Sequence, residues 1–282
     1  MFKAIRHYMG SWVAWLAIGI LLVFVMMAVF APLLTAFGPN QQNLINRLQP
    51  PMWMDGGSSE HFLGTDELGR DLFTRLLYGS RSTMLVGLLT ALVSGGLGIT
   101  LGLLSGYFRK LDMVIMRIAD IQLAFPSMLL ALAIIAVMGG GFFTVIFVLG
   151  ITGWVQFSRV VRSEVLSIRT SEYIMAAQTV GVSSFRILFR HILPNIVAPA
   201  VTISTAQIAS AILAESSLSF LGLGIPPTTP TWGNMLQSGQ IFMGTAWWLS
   251  FFPGICITLI VLSISLMGDV LRDFMDPKYR DN

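Results

Sequence analysis

Five long stretches of this chain carry no charge, and no other feature restricts its fold as severely. Asp, Glu, Lys and Arg are all absent from 7–46, 82–108, 121–158, 191–214 and 216–268. A helix crossing the hydrocarbon of a bilayer needs about 20 mostly apolar residues, because backbone groups left unpaired in lipid are costly. Each stretch can hold one such span and the longest can hold two. Composition points the same way. Of 282 residues, 55% are hydrophobic and only 11% are charged, whereas a soluble domain carries about 25% charged residues. The expected fold class is an all-α membrane protein.

Reading the stretches in order gives six spans. The first is 12–34. Lys3 and Arg6 precede it as they precede a signal peptide, but the apolar stretch is longer than a signal core and no small-residue cleavage pattern follows. It reads as an uncleaved span. A polar region, 35–81, separates it from spans at 82–106, 113–138 and 142–161. The basic turn at 107–112 joins the second to the third, and Gly139, Gly140 and Gly141 turn the chain into the fourth. A second polar region, 162–195, leads to the fifth span, 196–221. The uncharged loop 222–245 leads to the sixth, 247–267, which opens on Trp247 and Trp248 as interfacial aromatics often do. Residues 269–282 form a charged tail.

An even number of spans puts both termini on one side, and Lys and Arg decide which. The N-terminus, 107–117, 159–190 and the tail hold 13 of them; the opposite segments hold only Arg47, Arg70, Arg75 and Arg81, which makes 4. The expected orientation has both termini and the 162–195 loop in the cytoplasm, with 35–81 and 222–245 outside. Net charge is +3 and spread along the chain, a distribution that does not suggest nucleic acid.

The cytoplasmic loop is the most informative segment. Ser171 can cap a helix starting at Glu172, with the acid favourable at its N-terminus. Ala176, Ala177 and Gly181 place small residues on successive turns, a surface that another body can approach closely. Gly181 can end this helix, Ser183 or Ser184 can cap another, and Leu193-Pro194 is expected to stop the second before the chain enters span five.

The pattern Ala176-Ala177-x3-Gly181-x9-His191-Ile192-Leu193-Pro194 resembles the coupling loop of bacterial ABC importer permeases, with Met175 where a Glu often stands. Three further stretches resemble the C-type permeases of the dipeptide, oligopeptide and nickel importers. They are Leu63 to Arg81, Leu213 to Gly224 with Pro226-Pro227 and Trp232-Gly233, and Met267 to Pro277. The resemblance implies a type I ABC importer permease fold of six helices with a cytoplasmic coupling-helix loop, in a bacterial inner membrane. It implies a non-catalytic subunit that forms the translocation pathway with a second, distinct permease. Two cytoplasmic ATPase subunits would bind ATP and Mg and dock at Glu172, Ala176, Ala177, Gly181, His191, Leu193 and Pro194. A periplasmic or lipid-anchored binding protein would deliver di- or oligopeptides, chelated nickel or glutathione-like peptides.

Some residues admit two readings. An ionisable group within a span is a functional candidate because burying it is costly. Asp120 has Arg117 one turn earlier, so an i,i+3 pair is expected there. Glu215 has no basic residue within twenty positions; its partner is expected from another span, another subunit or water, and it belongs either to the pathway or to a helix interface. Gly95, Gly96, Gly98, Gly102 and Gly106 permit close helix contact. The mixed charges of Gly64–Asp71 read as a hydrated interfacial segment that satisfies itself. His7, His61 and His191 lack metal-ligand spacing, Cys256 reads as an apolar filler, and no phosphate-binding G-x-x-x-x-G-K-[ST] occurs. A secondary transporter would be expected to show paired ionisable residues and an internal repeat, and an intramembrane enzyme a nucleophile with its base or two facing carboxylates; neither pattern is visible.

Overall fold

The structure, a computed structural model, describes residues 12–275. The expected cytoplasmic segment 1–11 and the end of the tail, with Lys3, Arg6, Lys278 and Arg280, lie outside the described residues. The described chain is helical, with loops between. Helix α1 is Trp12–Leu34, α2 Leu72–Tyr107, α3 Arg109–Leu123, α4 Ser127–Met138 and α5 Phe142–Arg169. They are followed by α6, Glu172–Thr179; α7, Leu193–Phe220; α8, Trp232–Gly239; and α9, Trp248–Met275. Five helical runs are long and apolar enough to cross a membrane, and there are six if α3 and α4 count as one broken span.

The stretch expected as the third span, 113–138, is two helices, bent by 87° at their junction. Pro126 supplies the cause. Its ring disfavours helical geometry at Phe125 and it cannot donate to a preceding turn, so α3 ends at Leu123 and α4 restarts at Ser127. Leu193-Pro194 does the opposite of what its sequence suggests. The chain is helical without a stop from Ser184 to Phe220, passing through a π-helical stretch, Ile187–Ile192, directly before α7. The Leu193 N–H reaches back to Leu188 O, five residues away. That wider turn accommodates a proline that lacks an N–H.

The molecule is organised around α2 and α5. On α2, Gly98, Gly102 and Gly106 face α5 so closely that a Cβ on Gly98 would sit 2.6 Å from the Trp154 carbonyl oxygen. One on Gly102 would meet Val161 Cβ at 2.7 Å, and one on Gly106 would meet Val165 Cβ at 2.6 Å. Gly98, Gly102 and Gly106 are thus packing within the chain, the arrangement by which small residues let membrane helices touch, whereas Gly96 faces open space. Helix α7 lies against α2, α5 and α9. Helix α1 is peripheral and buries only Ala14, Ala17, Phe24 and Ala31, leaving Trp12, Leu16, Leu22 and Val29 uncovered.

Residues 35–71 form a compact cap over one end of the bundle. Asp71 caps α2 by accepting from both the Thr74 N–H and its hydroxyl at 2.7 Å, and its other oxygen meets His61 Nδ1 at 3.0 Å. Asp66 holds Arg70 at 2.6 Å and faces Arg75 at 3.6 Å, while Arg70 also reaches Glu67. His61, Asp66, Arg70, Asp71 and Arg75 are all buried, so the expectation of a hydrated segment is corrected. The charges do satisfy each other, but away from water. The Trp248 indole donates to Thr65 O and fastens the cap to α9, while the Trp232 indole donates to Leu76 O and ties α8 to α2.

Candidate functional site

Two regions carry the residues singled out in the sequence, one built around α6 and one along α3, α5 and α7. The first is built on the end of α5. Arg169 donates to Tyr107 O at 3.0 Å and lies over the Tyr107 ring, tying the end of α5 to the end of α2. Ser171 stands at the N-cap position of α6, but its hydroxyl donates to Ile168 O rather than capping the helix. Ile174 is wholly buried with Val161, Val165, Ile187, Ile192 and Ile196. A single apolar side chain thereby pins a short helix to the bundle.

The helix ends in a Schellman turn. The Val182 N–H bonds Ala177 O and the Gly181 N–H bonds Gln178 O, with Gly181 at φ +83°. That is the conformation an L side chain adopts only with strain. Ala176 and Gly181 are exposed and Ala177 partly so. A Cβ on Gly181 would meet nothing within 4 Å, so the turn, not crowding inside the chain, is what calls for glycine. His191 lies beside the Tyr173 ring, and Leu193 packs into the core beneath. The structure thus gathers Glu172, Ala176, Ala177 and Gly181 at the surface, with His191 and Leu193 beneath and Pro194 inside a continuous helix. Sequence reading missed the apolar companions on this surface: Tyr173, Met175, Val180, Phe185 and Phe189 are all exposed, and the last two rings lie 4.4 Å apart. Their signal was available, since large apolar side chains in a polar loop have no span to serve.

Between α3 and α5 the expected Arg117–Asp120 pair does not form. Asp120 meets Arg159 of α5 at 2.7 Å, and Asp112 forms a two-pronged pair with Arg162. Asp112 and Asp120 stand two turns apart on one face of α3, and α5 presents both arginines to that face. Arg117 is exposed. Glu215 is fully buried, and its partners come both from its own helix and from Thr231 at the start of α8. Ser219, one turn on, donates to Oε1 at 2.7 Å, the i,i+4 geometry of any helix. The carboxyl sits among the hydroxyls of Ser216 and Thr231, and Thr231 caps α8.

Glu215 does not line the cavity that its neighbours Ala211, Ala214 and Leu218 help to form. That cavity, of about 410 Å³, lies between the α3–α4 break, α5 and α7 and is lined by Gln122, Gln156 and Gln207. A second, of about 720 Å³, lies between α5, α7 and α9 and carries Glu164, Asp269 and Arg272.

This helix arrangement is found in an ABC importer. It resembles an inward-facing structure of the MetNI methionine ABC transporter with a TM-score of 0.59, over 72% of this chain and 97% of that one, at 18% identity. Sequence comparison is more specific. Residues 98–281 match the binding-protein-dependent transport system inner membrane component family, and residues 3–51 match the N-terminal TM domain of oligopeptide transport permease C. The chain is 45% identical over 268 residues to the dipeptide transport system permease protein DppC of Alkalihalophilus pseudofirmus, covering 93% of this chain and 86% of that one. It is 42% identical to the di/tripeptide transport system permease protein DppC of Pseudomonas aeruginosa, with the same coverage. It is 36% identical to the oligopeptide transport system permease protein OppC of Bacillus subtilis, over 98% of this chain and 89% of that one. The chain belongs to the binding-protein-dependent transport system inner membrane component family. It is a multi-pass permease subunit.

Proposed function

We propose that this permease forms, with a second and distinct permease, the path by which di- and oligopeptides enter a bacterial cell, driven by separate ATPase subunits. The relatives named for dipeptide, di/tripeptide and oligopeptide transport support the substrate class. The observation that carries the coupling role is the exposed surface of α6 and its turn. Ala176 and Gly181 lie open beside Met175, Val180 and Phe185, while Ile174 anchors the helix from below. Such a surface can fill a groove on a cytoplasmic ATPase and pass its motion to α5 and α7, which it joins directly. With this loop in the cytoplasm, the 35–71 cap and the 222–245 loop face outward, toward a substrate-binding protein.

The test is recovery of the subunit from detergent-solubilised native membrane, with mass spectrometry of what accompanies it, for wild type and for Gly181→Asp. A second permease and ATPase chains are expected with the wild type. The variant is expected to keep the permease and lose the ATPases, since a Cβ at 181 meets nothing of its own chain within 4 Å while the strain of the turn is about 1–2 kcal/mol. A stable wild-type complex without an ATPase, or a Gly181→Asp complex that retains it and still imports dipeptide, overturns the assignment.

A further inference from the structure

Gln156 stands midway along α5 and Gln207 midway along α7, so each lies roughly 20 Å from either end of its helix at the rise of an α-helix. Both line the 410 Å³ cavity beside the α3–α4 break. Gln122, at the end of α3, lines it too but is spoken for. Its amide donates to Thr152 O at 2.7 Å and its oxygen accepts from Trp154 Nε1 at 2.8 Å, which fixes the broken helix to α5. Among the described residues, no hydrogen-bond partner accompanies the side chain of Gln156 or of Gln207. Gly153 lies one turn before Gln156, at a point where a Cβ would collide with the Gln207 amide. The backbone of α5 thus leaves room for that side chain to lie across it.

A primary amide with no partner is expensive in hydrocarbon, about 2–7 kcal/mol by transfer. Gln156 is exposed and Gln207 half-buried, so both unpartnered amides are open to the cavity they line, which marks it as a space for water or a polar ligand. Each amide offers one acceptor oxygen and two donor hydrogens, the complement of the C=O and N–H of a peptide group. No Asp, Glu, Lys or Arg lines the cavity, so nothing there selects the charge of a ligand's side chains. Its volume falls within the range of small-molecule sites.

We propose that Gln156 and Gln207 are a recognition station for peptide groups in the translocation path, reading the backbone of the passing substrate and ignoring its side-chain charge. This rests on the peptide-import reading above.

The test uses the complete complex in proteoliposomes, with its ATPases and binding protein. It compares initial uptake of an alanyl dipeptide with that of the ester isostere, which lacks the peptide N–H. Wild type is expected to import the peptide faster. Gln156→Met and Gln207→Met, matched to glutamine in length, are expected to shrink that preference by about three- to tenfold each, the worth of one hydrogen bond. Lysyl and aspartyl dipeptides are expected to slow alike. A merely structural role would slow peptide and ester equally. An unchanged peptide-to-ester ratio in assembled variants, or a loss confined to one side-chain charge, overturns the station. A wild-type complex that imports no peptide overturns the underlying function instead. If one variant fails to assemble, the other carries the same comparison.

Discussion

At the scale of single residues, Glu215 is the sharpest case. An acid buried in the membrane invites a role in transport, yet its nearest companions are hydroxyls and it does not line the cavity that its neighbours form. Its position joins α7 to the start of α8, because Thr231 both caps α8 and lies against the carboxyl. An amide can accept the Ser219 proton as the acid does, so Glu215→Gln is expected to assemble and to import peptide at the wild-type rate. Glu215→Leu leaves the Ser219 hydroxyl without its acceptor and is expected to lose about 1–3 kcal/mol, read as a lower unfolding temperature in detergent. Loss of uptake in an assembled Gln variant would return Glu215 to the pathway. The partner was legible in part. A search for an opposite charge finds none, whereas Glu215 followed by Ser216, Ser217 and Ser219 already offers hydroxyls within one turn. Asp120 was not legible, since two arginines stand within reach of α3 and only packing decides that Arg159, on another helix, wins over Arg117.

Elements were legible where composition forces them and obscure where a proline can be accommodated in two ways. The apolar stretches give the helices of α1, α2, α5 and α9 because lipid allows little else. Pro126 and Pro194 carry the same local chemistry, yet one breaks a span by 87° and the other sits in an unbroken helix. What separates them is whether the turn ahead can widen to absorb the missing N–H, as Ile187–Ile192 does, and this depends on tertiary packing. The contact of α2 with α5 yields a direct test. Gly102 faces Val161 with no room for a Cβ, whereas a Cβ on Gly96 would meet nothing within 4 Å. Gly102→Leu is expected to overpack the interface by about 1–3 kcal/mol or more and to cut the yield of monodisperse subunit in size exclusion. Gly96→Ala, six residues away on the same helix, is expected to leave yield and unfolding temperature unchanged. Equal behaviour of the two would mean that α2 and α5 do not meet through this glycine stripe.

For the molecule as a whole, orientation links the cap, the bundle and the α6 surface into one device. Lys and Arg favour the side carrying 162–195 by 13 to 4, and the structure sharpens that count. Of the four on the opposite side, Arg70 and Arg75 are buried against Asp66, so they present little free charge to steer insertion. Burial of those pairs was beyond sequence reading, because alternating charges look alike whether solvated or folded against each other. The same burial explains how a segment of this length stays compact, and it is tied to the loop before α8 through Asn40 and Thr228 and to α9 through Trp248. Orientation is tested with single cysteines in a Cys256→Ser background, at the exposed positions Ser59 in the cap and Thr179 at the end of α6. A membrane-impermeant maleimide is expected to label Ser59→Cys in intact spheroplasts, and Thr179→Cys only after permeabilisation. The reverse pattern would place α6 outside, where no ATP-driven partner could reach it, and would leave the coupling role without a mechanism.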